Sequence, residues 1–459
     1  MAERSISPQH RLAGRNCADP EGKPQILNDS GFAGRVLLSL SARLVLIFCD
    51  DKRLHALQCL MNSGETAGQK LTQQPAKAVP IGDTGERRNL LLNARRVVVK
   101  LGTNVVAETD GSVCAERLEP IVAAVAHLKT AGRQMVLVSS GAVGLGRGWL
   151  DVHRARTHDL ITRQACAAVG QVRLMYLYER LFSRHGVKIA QVLLTEDDFA
   201  DRRRSSNLRH TVEKLLKFGV VPIVNENDTV STAELEYLGE GTRTRIFSDN
   251  DRLAALVTSE LDANALVLLS NVAGLLRHPQ KADSAIPLVT VISPELKALA
   301  SGPSAGGRGG MLTKLEAAEI AMRAGAIAVI ADGTQLDSLD RVFRGEPVGT
   351  AFMPAVPMAG KRRWIAYAAD VRGRILVNAG ARTALLRGKA SLLWSGVVKI
   401  ERAFKPMDVI SIADVHGREF ARGIANHSSA ENGTRNPDQG SRKASVLVTR
   451  DNLVVLDRA

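Results

Sequence analysis

The feature that most constrains this 459-residue chain is an alternation that begins at Arg95. Short apolar runs, each ending in small or polar residues, alternate with longer stretches of helical periodicity. Val97–Asn104, VVVKLGTN, is a strand entering a glycine turn. Leu118–Leu128 carries apolar residues at helical spacing, and Gly132 lies just past it. Gln134–Val138 is the next strand, running into Ser139-Ser140-Gly141-Ala142-Val143-Gly144-Leu145-Gly146. A helix at Gln164–Phe182, a strand at Val187–Leu194, a helix at Asn207–Lys217 and strands at Val220–Val224 and Ala265–Leu269 continue the series. A long helix at Met311–Ala324 precedes a strand at Ala326–Ile330 that is expected to close the sheet. Continuous apolar strands separated by helices imply a mainly parallel sheet with right-handed crossovers, covered by helices on both faces. In such sheets ligands bind beyond the carboxyl ends of the strands.

Those ends carry the polar residues. VVPIVNENDTV, Val220–Val230, is an apolar run followed by Asn225, Glu226, Asn227, Asp228 and Thr229. Ser248-Asp249-Asn250-Asp251 then precedes a helical pattern of Leu253, Leu256 and Val257, where Ser and Asp are good N-caps. Asparagine donates and accepts, and aspartate holds a cation or metal. Two such clusters around one loop suit a small ligand with ammonium and carboxylate groups. The plain alternative is a turn-rich loop whose Asn and Asp only cap backbone.

Two lysines stand at comparable ends. Lys100 closes the first strand, and Lys314 opens a helix after Gly306-Gly307-Arg308-Gly309-Gly310-Met311-Leu312-Thr313. A glycine-rich loop exposes N–H groups to phosphate oxygens, and a helix N-terminus favours the anion. The Walker pattern GxxxxGK[ST] is absent. Phosphoryl transfer asks mainly for positioning and fixed positive charge, which two lysines on separate elements supply.

Charge divides the chain. Residues 361–459 hold 18 Lys and Arg against 9 Asp and Glu, so they carry +9 of the net +14, while residues 1–93 carry +3 and 94–360 carry +2. The basic tail invites a nucleic-acid reading for that part alone, although Trp364, Tyr367, Trp394, Phe404 and Phe420 form no stacking cluster of RRM type. Beyond a linker at Pro354–Gly360 the alternation gives way to short β-like segments: Gly373–Val377, Val397–Ile400, Val409–Ile412 and Val446–Val455. Closely spaced strands of this kind indicate a small β-rich barrel domain, with Asn426–Lys443 as loop. Residues 1–93, polar and turn-rich apart from Val36–Cys49, are expected to be a flexible extension. That apolar run is too short to span a bilayer, and the five cysteines form no CxxC pair, so a cytoplasmic protein with free thiols is expected.

The motifs VVVKLGTN, VSSGAVGLG, QVLLTEDDF, VVPIVNENDTVSTAE, SDNDRLAALV and GRGGMLTK occur in the order shown by the glutamate 5-kinases of the amino-acid kinase family, which this sequence resembles over roughly Arg95–Thr350. The basic tail resembles the PUA domain that many bacterial members append. The resemblance implies an αβα sandwich over residues 94–358 and a PUA-like domain over 362–459. It implies transfer of the ATP γ-phosphoryl to the side-chain carboxylate of L-glutamate, on the route to proline. Lys100 and Lys314 would stabilise the transferred phosphoryl and Asp251 would orient both. Ser140, Asp228 and Asn250 would bind glutamate. Lys100, Ser270, Asn271 and the loop Arg308, Gly309, Gly310, Met311, Leu312, Thr313 and Lys314 would line the ATP site. Mg²⁺ would bridge the phosphates with few direct protein ligands. A homo-oligomer is expected, with RNA contact through the tail. Departures from the family pattern are Ser270-Asn271 for Thr-Asp, Gly274-Leu275-Leu276 for Gly-Leu-Tyr, and Ser205-Ser206-Asn207-Leu208-Arg209 for aromatic-Leu-Asn-Ala-Arg. The helix expected after Asn426 is not legible. The rivals are an amino-acid kinase acting on another carboxylate or carbamate, and an RNA-binding protein whose basic domain is the active part.

Overall fold

The structure is a computed structural model and describes residues 84–108, 112, 114–153, 159–231, 250–278, 281, 284–300, 310–388, 390–430 and 445–456. The first of the described elements is helix α1, Thr84–Asn93. Strand β1, Arg96–Leu101, follows, with helices α2, Thr103–Val106, and α3, Ala115–Thr130. Strand β2, Gln134–Ser139, leads to α4, Ala142–Trp149, and the long α5, Leu160–Ser183. Then come β3, Ile189–Leu194, α6, Glu196–Ala200, α7, Arg202–Lys217, and β4, Val221–Glu226. Helix α8, Asn250–Glu260, precedes β5, Ala265–Ser270, and β6, Leu288–Val289. Helices α9, Pro294–Leu299, and α10, Met311–Arg323, precede β7, Ile327–Asp332, and β8, Thr350–Phe352.

These eight strands form one sheet in the order β3-β4-β2-β1-β5-β7-β8-β6. All pairs are parallel except β7 with β8. The expected strands are present, but β7 does not close the sheet. Two short strands, β8 and β6, extend it beyond β7, because Ala351 and Phe352 bury an apolar pair too short to register as a period in sequence.

Alternation along each strand divides the core in two. Val97, Val99 and Leu101 face the layer that holds Leu118, Leu174 and Tyr178, while Val98 faces Leu253, Leu256 and Leu315. By the same period Lys100 joins the face covered by α8 and α10. Asn225 falls on the face covered by α5.

The expected boundary at residue 93 is corrected at its end. Helix α1 lies within the folded domain: Leu91 is fully buried, and the buried Arg87 guanidinium donates to the carbonyls of Val348 at 2.6 Å, Glu346 at 3.2 Å and Pro287 at 3.4 Å. The signal was hidden because its anchor is an arginine and its leucines, 90–92, are adjacent rather than spaced by a helical turn. Val36–Cys49 lies outside the described residues.

After the linker, a short helix at Gly360–Arg363 runs into a π-helical turn at Trp364–Ala368. The β-rich tail follows, with β9, Val371–Val377, β10, Leu392–Leu393, β11, Val397–Arg402, β12, Val409–Ala413, β13, Glu419–Ile424, β14, Val446–Val448, and β15, Leu453–Val455. A five-stranded sheet, β11-β9-β12-β13-β15, and the pair β10-β14 enclose Ile375, Ile412, Phe420 and Val448. The expected single strand Val446–Val455 is broken by a 3-10 turn at Arg450–Asn452. Of the expected loop Asn426–Lys443, residues 431–443 lie outside the described residues. Among the described residues no helix is long and apolar enough to cross a membrane.

Candidate active site

The carboxyl ends of β1, β2, β4 and β5 converge where the strand order turns back at β1. At this edge Asp251, in the first turn of α8, is fully buried between two lysines. Lys100 Nζ is 2.6 Å from Asp251 Oδ1, and Lys314 Nζ donates to Asp251 Oδ2 at 3.0 Å. Both lysines are also buried, at 2% and 5% exposure. Lys314 lies in the first turn of α10, one residue after Thr313, whose hydroxyl lies 3.3 Å from Asp251 Oδ2 and donates to the Gly310 carbonyl at 2.8 Å. Three elements distant in sequence are thus tied by one carboxylate. The formal charges of one carboxylate and two ammonium groups sum to one positive charge at this sheet edge.

A row of amides continues from this cluster. Asn250 Nδ2 donates to the Ser139 carbonyl at 2.8 Å and lies 3.0 Å from Ser140 Oγ and 2.8 Å from Asn225 Oδ1. Asn225 Oδ1 also accepts from the Glu226 N–H at 2.9 Å, and Asn225 Nδ2 donates to Gln171 Oε1 at 2.8 Å. Beneath the row, the Ser139 and Tyr178 hydroxyls are 2.7 Å apart, fixing the end of β2 to α5. Helices α4 and α5 cross in close contact at Gly146 and Gly170, where an added Cβ would lie 1.7 Å from the Cys166 and Ala142 carbonyl oxygens respectively. Gly141 needs its glycine for a second reason, a φ of 106° at the turn into α4.

The loop after β4 carries the remaining charge. Asp228 Oδ1 faces Arg163 at 3.7 Å, and Ser231 Oγ donates to Glu226 Oε1 at 2.9 Å. Burial, reinforced by the neighbouring Asp228 charge, pushes the Glu226 carboxyl up to about 7, against the opposing pull of Ser231 and Arg163.

Of the expected site residues, Lys100, Asp251, Lys314, Thr313, Ser140 and Asn250 form one connected cluster. Asp228 is on the adjoining loop and touches Arg163. Ser270, at the end of β5, is buried and donates to Asn271 Oδ1 at 3.4 Å, while Asn271 is exposed. Gly310 caps α10, and Met311 and Leu312 open it, Leu312 being 40% exposed. Arg308 and Gly309, and Ser248 and Asp249 of the second polar cluster, lie outside the described residues. Gln171 joins this row without a motif in the sequence to mark it. Its one signal is a polar residue on the stripe of α5 that buries Leu174 and Tyr178. Ser205, one of the departures, is buried and its hydroxyl bonds the Glu260 carboxylate, so the exchanged residue is satisfied.

The model of the amino acid kinase family matches residues 95–331, and the PUA domain model matches residues 373–436. The chain is 43% identical over 384 residues to a glutamate 5-kinase of Moorella thermoacetica, an alignment spanning 81% of this chain and 99% of that protein. It is 43% identical over 382 residues to a glutamate 5-kinase of Myxococcus xanthus, spanning 80% and 98%. A third, from Caldanaerobacter subterraneus, is 39% identical over 376 residues, spanning 79% and 98%. Fold and site define an amino acid kinase with a C-terminal PUA domain, and the chain belongs to the glutamate 5-kinases of that family.

Proposed function

We propose that this protein transfers the γ-phosphoryl group of ATP to the side-chain carboxylate of L-glutamate, giving γ-glutamyl phosphate, the first step of proline biosynthesis. The observation that carries the reading is the buried lysine pair held on one aspartate. A phosphoryl group in transfer spreads negative charge over its oxygens, and two ammonium groups positioned in advance stabilise that charge without reorganising. Asp251 holds both lysine side chains in place, one on each carboxylate oxygen. Ser140 and Asn250 supply hydroxyl and amide contacts to glutamate, and Asp228 holds its ammonium group.

The nucleotide is read as lying along Ser270, Asn271 and residues 308–314, with Lys100 and Lys314 reaching its terminal phosphate. The carboxylate within the lysine cluster, Asp251, has one oxygen facing each lysine, so no metal cage is built from it. On this reading Mg²⁺ arrives on the ATP phosphates. Residues 94–358, with α1 added at their start, act as the kinase domain and 362–459 as the PUA-like domain. A homo-oligomer in the cytoplasm is the expected assembly, which equilibrium sedimentation tests.

A coupled assay of ADP release with and without L-glutamate, with hydroxylamine trapping the acyl phosphate, tests the reaction. Asp228→Ala should raise the KM for glutamate far more than that for ATP, because an ion pair to the ammonium group acts in ground state and transition state alike. Glutamate-independent ATP hydrolysis with no trapped hydroxamate would refute the assignment.

A second reading attaches to the tail, as an RNA contact. Its support is the net charge of +9 and the PUA match. Against it, Arg372, Arg374 and Arg382 already face Asp370, Glu401 and Asp414, whereas Arg387 is exposed. Binding of structured RNA that weakens steeply between 50 and 200 mM salt would favour it.

A further inference from the structure

Gln171 lies midway along α5, facing the sheet, and is 8% exposed. Its Oε1 accepts from Asn225, while its Nε2 is buried without a hydrogen-bond partner among the described residues. The orientation of this amide follows from its neighbours. The Ser139 carbonyl can only accept, so the Asn250 atom 2.8 Å from it is the amide nitrogen. That nitrogen is also 2.8 Å from Asn225, which must present its oxygen, as the Glu226 N–H at 2.9 Å requires too. Asn225 therefore turns its nitrogen to Gln171, and Gln171 answers with its oxygen. The constraint runs the length of the row and leaves the two hydrogens of Gln171 Nε2 for an acceptor. A buried donor left unsatisfied is costly, so a ligand that brings an acceptor there is favoured.

The position of Gln171 indicates which acceptor. The row begins at Asn250, next to the aspartate that holds the lysines, and ends at Gln171. A substrate that presents one carboxylate to the lysines must extend its other end away from them. We propose that Gln171 Nε2 donates to the α-carboxylate of the acceptor amino acid, fixing the distance at which the reacting carboxylate meets Lys100 and Lys314. This inference rests on the glutamate reading above. It makes Gln171 a specificity residue for acceptors with a free α-carboxylate.

The test compares wild type with Gln171→Glu in glutamate-dependent ADP release and thermal melting. Gln171→Glu keeps an oxygen for Asn225 Nδ2 but replaces the donor with a negative acceptor. The expected result is a KM for glutamate raised about 10- to 100-fold, as for loss of one buried hydrogen bond to a charged group, with the KM for ATP nearly unchanged; Tm should fall, because a carboxylate is buried in place of a neutral amide. L-glutamic acid α-amide supplies the reciprocal probe. Wild type should use it much less well than glutamate, and the discrimination should shrink or reverse in Gln171→Glu, because the substrate amide now donates. A structural role in holding Asn225 would not produce that exchange. An unchanged glutamate KM in Gln171→Glu, or equal rises for both substrates, overturns the proposal. If Gln171→Glu does not fold, wild type alone decides: equal KM for glutamate and its α-amide overturns it. Wild type with no glutamate-dependent turnover overturns the glutamate reading itself, and the proposal with it.

Discussion

Asp251 and Lys100 meet at 2.6 Å at full burial, and the same carboxylate holds Lys314 by its other oxygen. The three changes at this cluster should therefore not be equivalent. Lys100→Ala or Lys314→Ala leaves Asp251 with one cationic partner, whereas Asp251→Ala leaves two buried ammonium groups facing each other. Each lysine variant should lose kcat by an amount on the order of 10²-fold, as for removal of one preorganised contact to a developing charge. Asp251→Ala should in addition lose about 3–5 kcal/mol of stability, the cost of stranding a buried charge. Steady-state ADP release and chemical denaturation of the three variants check the order. A lysine variant with normal turnover and a normal melt would remove that lysine from the mechanism.

Glu226 gives a pH-dependent test. Its carboxyl is pushed up from 4.5 to about 7, first by burial and then by Asp228, with Glu196 adding to the rise and Ser231 and Arg163 opposing it. A carboxyl with a raised folded-state pKa binds more protons folded than unfolded. Its contribution to stability is therefore fully present below about pH 4.5 and is lost as pH rises through about 7. Glu226→Gln cannot ionise and should flatten this part of the profile. Wild-type Tm should fall relative to that of Glu226→Gln between pH 5 and 8, and parallel curves would place the carboxyl in an ordinary solvated setting.

What was legible in the sequence follows from burial. The parallel strands are covered on both faces, so their residues are apolar without interruption and announce themselves. The period of two puts Lys100 on the same strand face as Val98, but sequence cannot say which helices cover that face. The meeting of Lys100 with α8 and α10 therefore needed the structure. Gln171 was hidden for the opposite reason. It is one buried polar residue in a 24-residue helix, and its importance lies in Asn225, which reaches it from β4 and is itself bonded by Asn250 of α8. Strands β6 and β8, of two and three residues, are too short to show any period.

The start of the folded domain can be located by truncation. Arg87 ties α1 to three carbonyls near β6 and β8, and Leu91 fills the core. A chain beginning at residue 94 should melt lower than one beginning at residue 84. Arg87→Ala alone should cost about 2 kcal/mol, since hydrogen bonds from a charged donor are lost and buried carbonyls are left unpaired. In a domain of this size that is roughly 4–8 °C in Tm. Equal melting of the two truncated chains would mean that α1 contributes no stability.

The junction with the tail is tied to the kinase domain more closely than its sequence suggests. In sequence, Pro354–Gly360 reads as a linker, and a cut after Gly360 would be expected to leave a working kinase. The contacts argue for a different cut. Arg363 donates to the Ser259 carbonyl at 3.0 Å and the Ala324 carbonyl at 3.3 Å, and Trp364 Nε1 donates to the Phe199 carbonyl at 3.0 Å. Arg252, the neighbour of Asp251 in the first turn of α8, donates to the Tyr367 carbonyl at 2.8 Å and to Glu196 at 3.1 Å. Residues 363–367 therefore belong energetically to the kinase domain, and through Arg252 they help hold the turn that carries Asp251. A chain ending at Gly360 should show lower Tm and lower kcat than one ending at Ala369, although neither retains the tail. Arg252→Ala in the full-length chain should reproduce part of the kcat loss, because it breaks the same tie without removing the PUA-like domain. Ending the chain at Ala369 uncovers Ile365, which packs beside Val409 and Ile424 of the tail, so some loss of stability is expected there too. The comparison is of two truncations and one point variant by melting and glutamate-dependent ADP release. Wild-type kcat in the chain ending at Gly360 would show that the turn bearing Asp251 needs no support from residues 361–369.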